Sequence, residues 1–237
     1  MVHPQQATIR NRLLRAISSE DFSRLAPFLQ CLELAVQTTL IAPDRPVEHL
    51  YFPESGIFSI TANGPEGGVE VGMVGREGLV GAVPILTGSD RIPHDHFVQV
   101  PGRALRIAVA PLHEAVEESE PLRALLLRYL QAEIVQIRQT AFANARFTIE
   151  ARLARWLLMC HDRLDGDEVQ IKHDFLALML GVQRSGVTLA LQNLEGAGRI
   201  RSRRGCITVL DRALLEALAD TSYGVAEAEY ARLIEGA

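Results

Sequence analysis

No stretch of the sequence stays apolar for the roughly eighteen residues that a membrane-spanning helix needs. The opening segment, MVHPQQATIRNRLLRAISSED, also lacks the apolar centre of a secretory signal, so the expectation is a cytoplasmic chain with no membrane partner. Cysteine is scarce. Cys31, Cys160 and Cys206 are odd in number and far apart, which argues against a disulfide framework, a zinc site or a cysteine-held iron–sulfur cluster built from this chain alone. Buried free thiols are the simplest reading. Lysine is almost missing too, and nearly every positive charge is an arginine.

What is present suffices for a large core. The 237 residues are 48% hydrophobic and 22% charged, enough for a globular protein and more in keeping with two domains than one. The net charge of -5 conceals an uneven distribution. Between residues 171 and 212, Lys172, Arg184, Arg199, Arg201, Arg203, Arg204 and Arg212 stand against Asp174, Glu195 and Asp211, a local +4. A basic island on an otherwise acidic chain points to a polyanionic partner.

Along the chain, residues 8–30 carry Ile9, Leu13, Leu14 and Ile17 at helical spacing. Short apolar runs broken by glycine and proline follow: EHLYFP, GIFSITA, GVEVGMVG, HFVQVPG and ALRIAV. Many short strands at close spacing predict a β-sandwich or jelly roll.

The pattern changes at Ser119, a candidate N-cap with Pro121 in the first turn. The text PLRALLLRYLQAEIVQIRQTAFANARF then runs free of glycine and of further proline, which predicts one long helix. Leu127, Leu130, Ile134, Ile137, Ala141 and Asn144 fall on alternating three- and four-residue steps, the seam of a coiled-coil dimer, with Asn144 able to fix its register. Leu122, Leu125, Leu126 and Tyr129 make a second apolar face, directed at the β domain. A helix apolar on two faces needs two partners.

After a further amphipathic helix, RFTIEARLARWLLMCHDRLDGDE, the chain enters the basic island. DFLALMLG reads as a helix of about two turns closed by Gly181, and VQRSGVTLALQNLEGAG as the next helix, with Val187, Leu191 and Leu194 as its buried stripe. RIRSRRGCITVLD then alternates as two strands about an Arg-Arg-Gly turn. Helix, turn, helix and hairpin together make a winged helix. An arginine-rich hairpin after it and a dimerisation helix before it favour DNA binding, with Arg201, Arg203 and Arg204 running along phosphates.

This order of parts resembles the Crp/Fnr transcription regulators across nearly the whole chain. LALMLGVQRSGVTLALQNLEGAGRI is similar to that family's helix-turn-helix signature, while HLYFPESGIFSIT and GMVGREGLVGAVPIL are similar to its β-roll. The resemblance implies an α+β fold with three parts: an N-terminal jelly-roll β domain over residues 1–118, a dimerisation helix over 119–147 and a winged helix-turn-helix over 148–237. It implies a homodimer that binds an inverted repeat in double-stranded DNA, is not an enzyme and needs no cofactor. RNA polymerase is a further implied partner, together with a small-molecule effector or none. It also implies that the helix beginning near Gln183 enters the major groove with Arg184 at a base-contacting position. Ser185, Gly186 and Thr188 adjoin it, and the missing side chain at Gly186 is read as allowing close approach of backbone to bases or phosphates.

Some positions depart from the family. Cyclic-AMP-responsive members carry a glutamate beside the arginine and a second arginine one turn on, where this chain has Ser185 and Leu189. The ribose- and phosphate-binding stretches are matched by Gly81-Ala82 and His94-Asp95, and the adenine-facing pair by Ile137 and Arg138. Gly81, Ala82, His94 and Arg138 therefore mark a candidate effector pocket without the carboxylate and guanidinium that hold a cyclic nucleotide. A rival reading rests on GSDRIPHDHF, whose His94-x-His96 pair matches the opening of a cupin metal motif. The expected glutamate is missing and no second histidine motif follows, so no metal site is expected. A jelly-roll metalloenzyme with an accessory helical domain nonetheless stays as the alternative.

Overall fold

A computed structural model of the chain describes residues 4–64 and 67–236. A 3-10 turn (Gln6–Thr8), helices α1 (Arg12–Ala16) and α2 (Ser19–Leu25), and a 3-10 turn (Ala26–Phe28) open the chain. Strands β1 (Gln30–Leu34), β2 (Thr39–Ile41), β3 (His49–Pro53), β4 (Ile57–Gly64) and β5 (Gly67–Val74) follow, then α3 (Ala82–Thr87), β6 (Asp95–Val100) and β7 (Gly102–Ala108). Helices α4 (Val109–Glu118), α5 (Glu120–Arg146) and α6 (Ile149–His161) come next, then β8 (Glu168–Gln170), α7 (His173–Leu180), α8 (Arg184–Gly196), β9 (Ile200–Arg203) and β10 (Cys206–Val209). Helix α9 (Arg212–Ala219), a 3-10 turn (Asp220–Ser222), α10 (Val225–Tyr230) and a π-helical turn (Ala231–Glu235) close it.

Two compact units result. One comprises Met1–Ile60, Met73–Ile134 and Glu229–Ala237, the other Thr61–Gly72 and Val135–Ala228. Compactness thus assigns the far end of the β4–β5 hairpin to the same unit as the helix-turn-helix, and the last residues of the chain to the unit of the β-roll. Among the described residues no helix is long and apolar enough to cross a membrane.

Strands β1, β7 and β3 form an antiparallel sheet of the first unit in the order β1-β7-β3, and a second sheet runs β2-β6-β4-β5. Leu50, Phe52, Leu105 and Ile107 are buried from the first sheet, which makes the short apolar runs of the sequence strands of the core. The helix expected over residues 8–30 is two short ones. Asn11 caps α1 by accepting from Leu14 N–H at 2.9 Å, and Ser18 caps α2 by accepting from Asp21 N–H at 3.0 Å. Asn11 is fully buried, and its amide donates to the carbonyls of Pro53 and Gly78 at 2.9 Å each. Its own N–H donates to buried Glu54 at 2.9 Å, so one side chain fixes the entry of α1 onto the sheet.

Ser119 starts α5 as the sequence predicts, its hydroxyl accepting from Leu122 N–H at 3.3 Å. Over 27 residues the helix keeps its two faces. Leu122, Leu125, Leu126, Tyr129 and Ala132 join the core of the first unit with Leu79, Leu105 and Leu112. Of the expected seam, Leu127, Ile137, Ala141 and Asn144 are exposed while Leu130 and Ile134 are half-buried. Phe142, 43% exposed, lies edge-on to Phe147 at 5.6 Å between centroids.

Ala226, Tyr230, Leu233 and Ile234 near the C-terminus fall at helical spacing, but spacing alone does not say which core they join. Tyr230 is buried, its hydroxyl donates to the Glu77 carbonyl at 2.7 Å, and the Arg12 guanidinium lies 4.9 Å from its ring centroid. Arg12 also pairs with Glu235.

Glu133 sits on α5 with its stem half-exposed, yet one carboxyl oxygen is enclosed and has no hydrogen-bond partner. Burial, with the negative charge of Glu77, pushes its pKa up to about 7. Because the unfolded chain releases this proton near the ordinary glutamate value, the neutral carboxyl contributes stability that is complete below that value and lost as pH rises towards 7. Glu133→Gln should therefore match the wild type near pH 4 and be more stable at pH 8, by on the order of 2 kcal/mol in urea denaturation. Equal pH slopes for the two proteins would contradict this.

Candidate nucleic-acid interface

The second unit is assembled on α6, whose Leu153, Ala154, Trp156, Leu157 and Leu158 are all buried. Thr148 caps it, accepting from Ala151 N–H at 3.3 Å. Trp156 Nε1 donates to buried Glu70 of β5 at 2.8 Å, a bond between residues 86 apart in the chain. Arg155, also buried, donates to the Ser222 carbonyl at 2.9 Å and the Thr140 hydroxyl at 3.2 Å. These are paired polar groups inside an apolar core, and leaving one unpaired would cost about 1–3 kcal/mol.

Against α6 lies the helix-turn-helix. Helix α7 ends at Gly181, which takes φ +60° and returns its N–H to the last carbonyls of the helix. A Cβ there would also lie 2.9 Å from Val69 Cγ2. The chain then turns through Val182 into α8, where Val187, Ala190, Leu191 and Leu194 are buried at 0–2% exposure. That stripe turns the opposite face to solvent. Gln183, Arg184, Ser185, Leu189, Gln192 and Asn193 are exposed.

Strands β9 and β10 form the expected hairpin, with Arg204 and Gly205 at its turn. The structure adds a third strand, β8, paired with β10. Ser202 N–H donates to Glu195 at 2.9 Å, which fastens the hairpin to the end of α8. Arg201, Arg203 and Arg204 are exposed along it. Lys172, His173, Arg184, Arg204 and Gly205 line one open cleft of about 660 Å³. Three cations therefore face a common space between the start of α7, the first turn of α8 and the hairpin turn. Sequence reasoning does not single out Lys172 and His173 as site residues. Their signal is position, at the start of a short helix inside the basic island.

Not every arginine of the island belongs to this surface. Arg199 donates to the Leu214 carbonyl at 3.3 Å. Arg212 pairs with Asp162 and Glu216, donates to Tyr223 at 2.6 Å and to His161 Nδ1 at 2.9 Å, and so braces α9 against α6. Burial and Asp162 hold the Tyr223 phenol well above its ordinary range.

Other expected residues fall as follows. Gln183 precedes α8 without spending its side chain on a cap. The Thr188 hydroxyl donates to the Arg184 carbonyl at 3.0 Å, so its hydrogen is committed inside the helix. Gly186 lies on the flank where α8 meets α6, and a Cβ there would lie 3.0 Å from Ile149 Cδ1, the end of a flexible side chain. Gly81 takes φ +90° at the start of α3 and Ala82 is buried beside it. His94 precedes β6 and is half-buried, while Arg138 is exposed on α5 in the other unit. His96 is buried, its Nδ1 lies 3.3 Å from the His94 carbonyl, and burial lowers its pKa to about 4. Among the described residues no three His, Cys, Asp or Glu side chains come together to hold a metal. The H-x-H pair thus gives no geometric support to the metalloenzyme alternative.

Gly181→Ala should cost about 1–2 kcal/mol for the left-handed backbone alone, more with the Val69 clash, read as a lower urea midpoint. An unchanged midpoint would show that the turn is not pinned.

The model of the Crp-like helix-turn-helix domain matches residues 151–218. A global nitrogen regulator from Nostoc sp. is 28% identical over 181 residues, 72% of this chain and 81% of the relative. Among solved structures, FixK2 from Bradyrhizobium japonicum superposes with TM-score 0.70 at 16% identity, covering 81% of this chain and 98% of that one. A CRP-family transcriptional regulator from Thermus thermophilus does so with TM-score 0.66 at 20% identity, covering 79% and 96%. These relatives give no support to a cupin-type enzyme. Residues 151–218 thus form a Crp-like helix-turn-helix domain, and the chain as a whole is similar to transcription regulators of the Crp/Fnr type, whose fold of β-roll, long helix and winged helix it shares.

Proposed function

We propose that the chain works as a cytoplasmic homodimer that reads an inverted-repeat DNA site through α8, a binding role and not a catalytic one. In this reading residues 1–118 serve as sensor or scaffold, 119–147 as the dimerisation helix and 148–237 as the reading domain, with RNA polymerase as a further partner. The observation that carries it is the convergence of Lys172, Arg184 and Arg204 on one open cleft beside the solvent face of α8. On a chain of net charge -5, such a cleft draws a polyanion to one place and repels it elsewhere.

Two kinds of arginine serve different ends. Arg184 stands in the first turn of α8, where a guanidinium can donate two hydrogen bonds to guanine O6 and N7. The hairpin arginines suit phosphates. Arg184→Ala should cost roughly 1–3 kcal/mol on the site selected by the protein and relax preference at one base pair per half-site, with nonspecific binding nearly unchanged. Arg203→Ala should weaken selected and scrambled duplexes alike and reduce the salt slope by about one for each phosphate that is no longer neutralised. Fluorescence anisotropy at several salt concentrations distinguishes them. Equal loss on both duplexes for Arg184→Ala would leave it a phosphate clamp.

The outer face of α5 supports the dimer. Leu127 and Ile137, two positions of the expected seam, are 46% and 36% exposed on a single chain, apolar surface that a second copy would cover. Ile134→Glu should give monomers in sedimentation velocity, and a monomeric wild type would overturn the assembly.

The effector reading is negative. Ala82 offers no carboxylate for a ribose and His94 no guanidinium for a cyclic phosphate. Calorimetry with cyclic AMP and cyclic GMP at micromolar concentration should show no saturable heat, and a saturable heat with either would contradict this.

A further inference from the structure

One side chain on the solvent face of α8 is not accounted for by charge. Leu189 is 56% exposed, more than any other large hydrophobic side chain among the described residues. By helical geometry it lies on the side away from the buried stripe of Val187, Ala190, Leu191 and Leu194, one turn beyond Ser185 and one turn before Gln192 and Asn193. Its neighbours are partly committed. The Thr188 hydroxyl donates to the Arg184 carbonyl, and the Asn193 amide donates to Glu150 at 3.1 Å. The outward face therefore presents, in order, the Arg184 guanidinium, the small hydroxyl of Ser185 and a bare branched aliphatic group.

An aliphatic side chain held in water on a polar face has lost its chance of burial within its own fold. In the major groove of DNA, the apolar group on a base edge is the 5-methyl of thymine. We propose that Leu189 is a specificity-determining residue that packs its methyl groups against the 5-methyl of one thymine in each half-site, beyond the base pair read by Arg184. This rests on the reading of α8 as the groove helix, and it adds an apolar readout to a polar one. Leucine offers neither donor nor acceptor, so it distinguishes thymine from cytosine by the methyl alone and leaves a gap opposite any base lacking it.

The test uses the full chain and a duplex carrying the site it selects from random DNA. Each thymine is replaced in turn, in both half-sites, by deoxyuridine, which removes the methyl and nothing else. Wild type should lose about fourfold in affinity per half-site at one position, the value of one buried methyl group, and so about fifteenfold for a symmetric site. Leu189→Ala, an exposed substitution that the fold tolerates, should bind the thymine and deoxyuridine duplexes alike while keeping its affinity for scrambled DNA. Indifference of the wild type to deoxyuridine at every position, equal sensitivity in Leu189→Ala, or a selected site without thymine would each overturn the role of Leu189. Sequence preference lost in Arg184→Ala would still uphold α8 as the reading helix in those cases. Failure to bind any duplex would overturn both.

Discussion

The buried side of α8 decides what its free side can do. Val187, Ala190, Leu191 and Leu194 are almost wholly enclosed, and each large aliphatic among them stabilises the unit by about 1.5–3 kcal/mol over an exposed one. Rotating the helix by one residue would expose part of that stripe, so its orientation is fixed by packing and not by any ligand. The same constraint holds Arg184, Ser185 and Leu189 outward. Gly186 lies on the flank of this stripe, facing Ile149 of α6.

Helix α5 shows the same principle at larger scale. Its inner face is core, with Leu122, Leu126 and Tyr129 at 1–3% exposure, while on its outer face Leu127 and Ile137 stay exposed in one chain. A helix built this way needs a second partner. If the partner is another copy, two reading helices are brought together, and the symmetry of the protein becomes the symmetry of its site.

Much of the fold was legible because its signals are local. The alternation of the β9–β10 hairpin, the uninterrupted run after Ser119 and the glycine closing α7 each follow from the period of one element or the φ of one residue. What the sequence hid is long-range. The Glu70–Trp156 bond joins residues 86 apart, and nothing in either neighbourhood announces it. Strand β8 has three residues, too few to show an alternation, and exists because β10 offers it an edge. The return of Tyr230 to the first unit depends on a carbonyl at Glu77 and a guanidinium at Arg12. At the candidate site, Arg184 and the hairpin arginines could be named from spacing, whereas Lys172 and His173 emerged only when the turn had folded them beside Arg204. Conversely, Arg199 and Arg212 count towards a basic island in sequence but are bound to carbonyls and carboxylates of α9 and α6.

The central claim is that a symmetric dimer reads DNA through α8, and selection from a pool of random duplexes by the full-length protein tests it most directly. The account predicts enrichment of an inverted repeat whose half-site centres lie about 10–10.5 base pairs apart, or a multiple of that spacing. Recovery of no preferred sequence, or of a single motif without a symmetry mate, would contradict it.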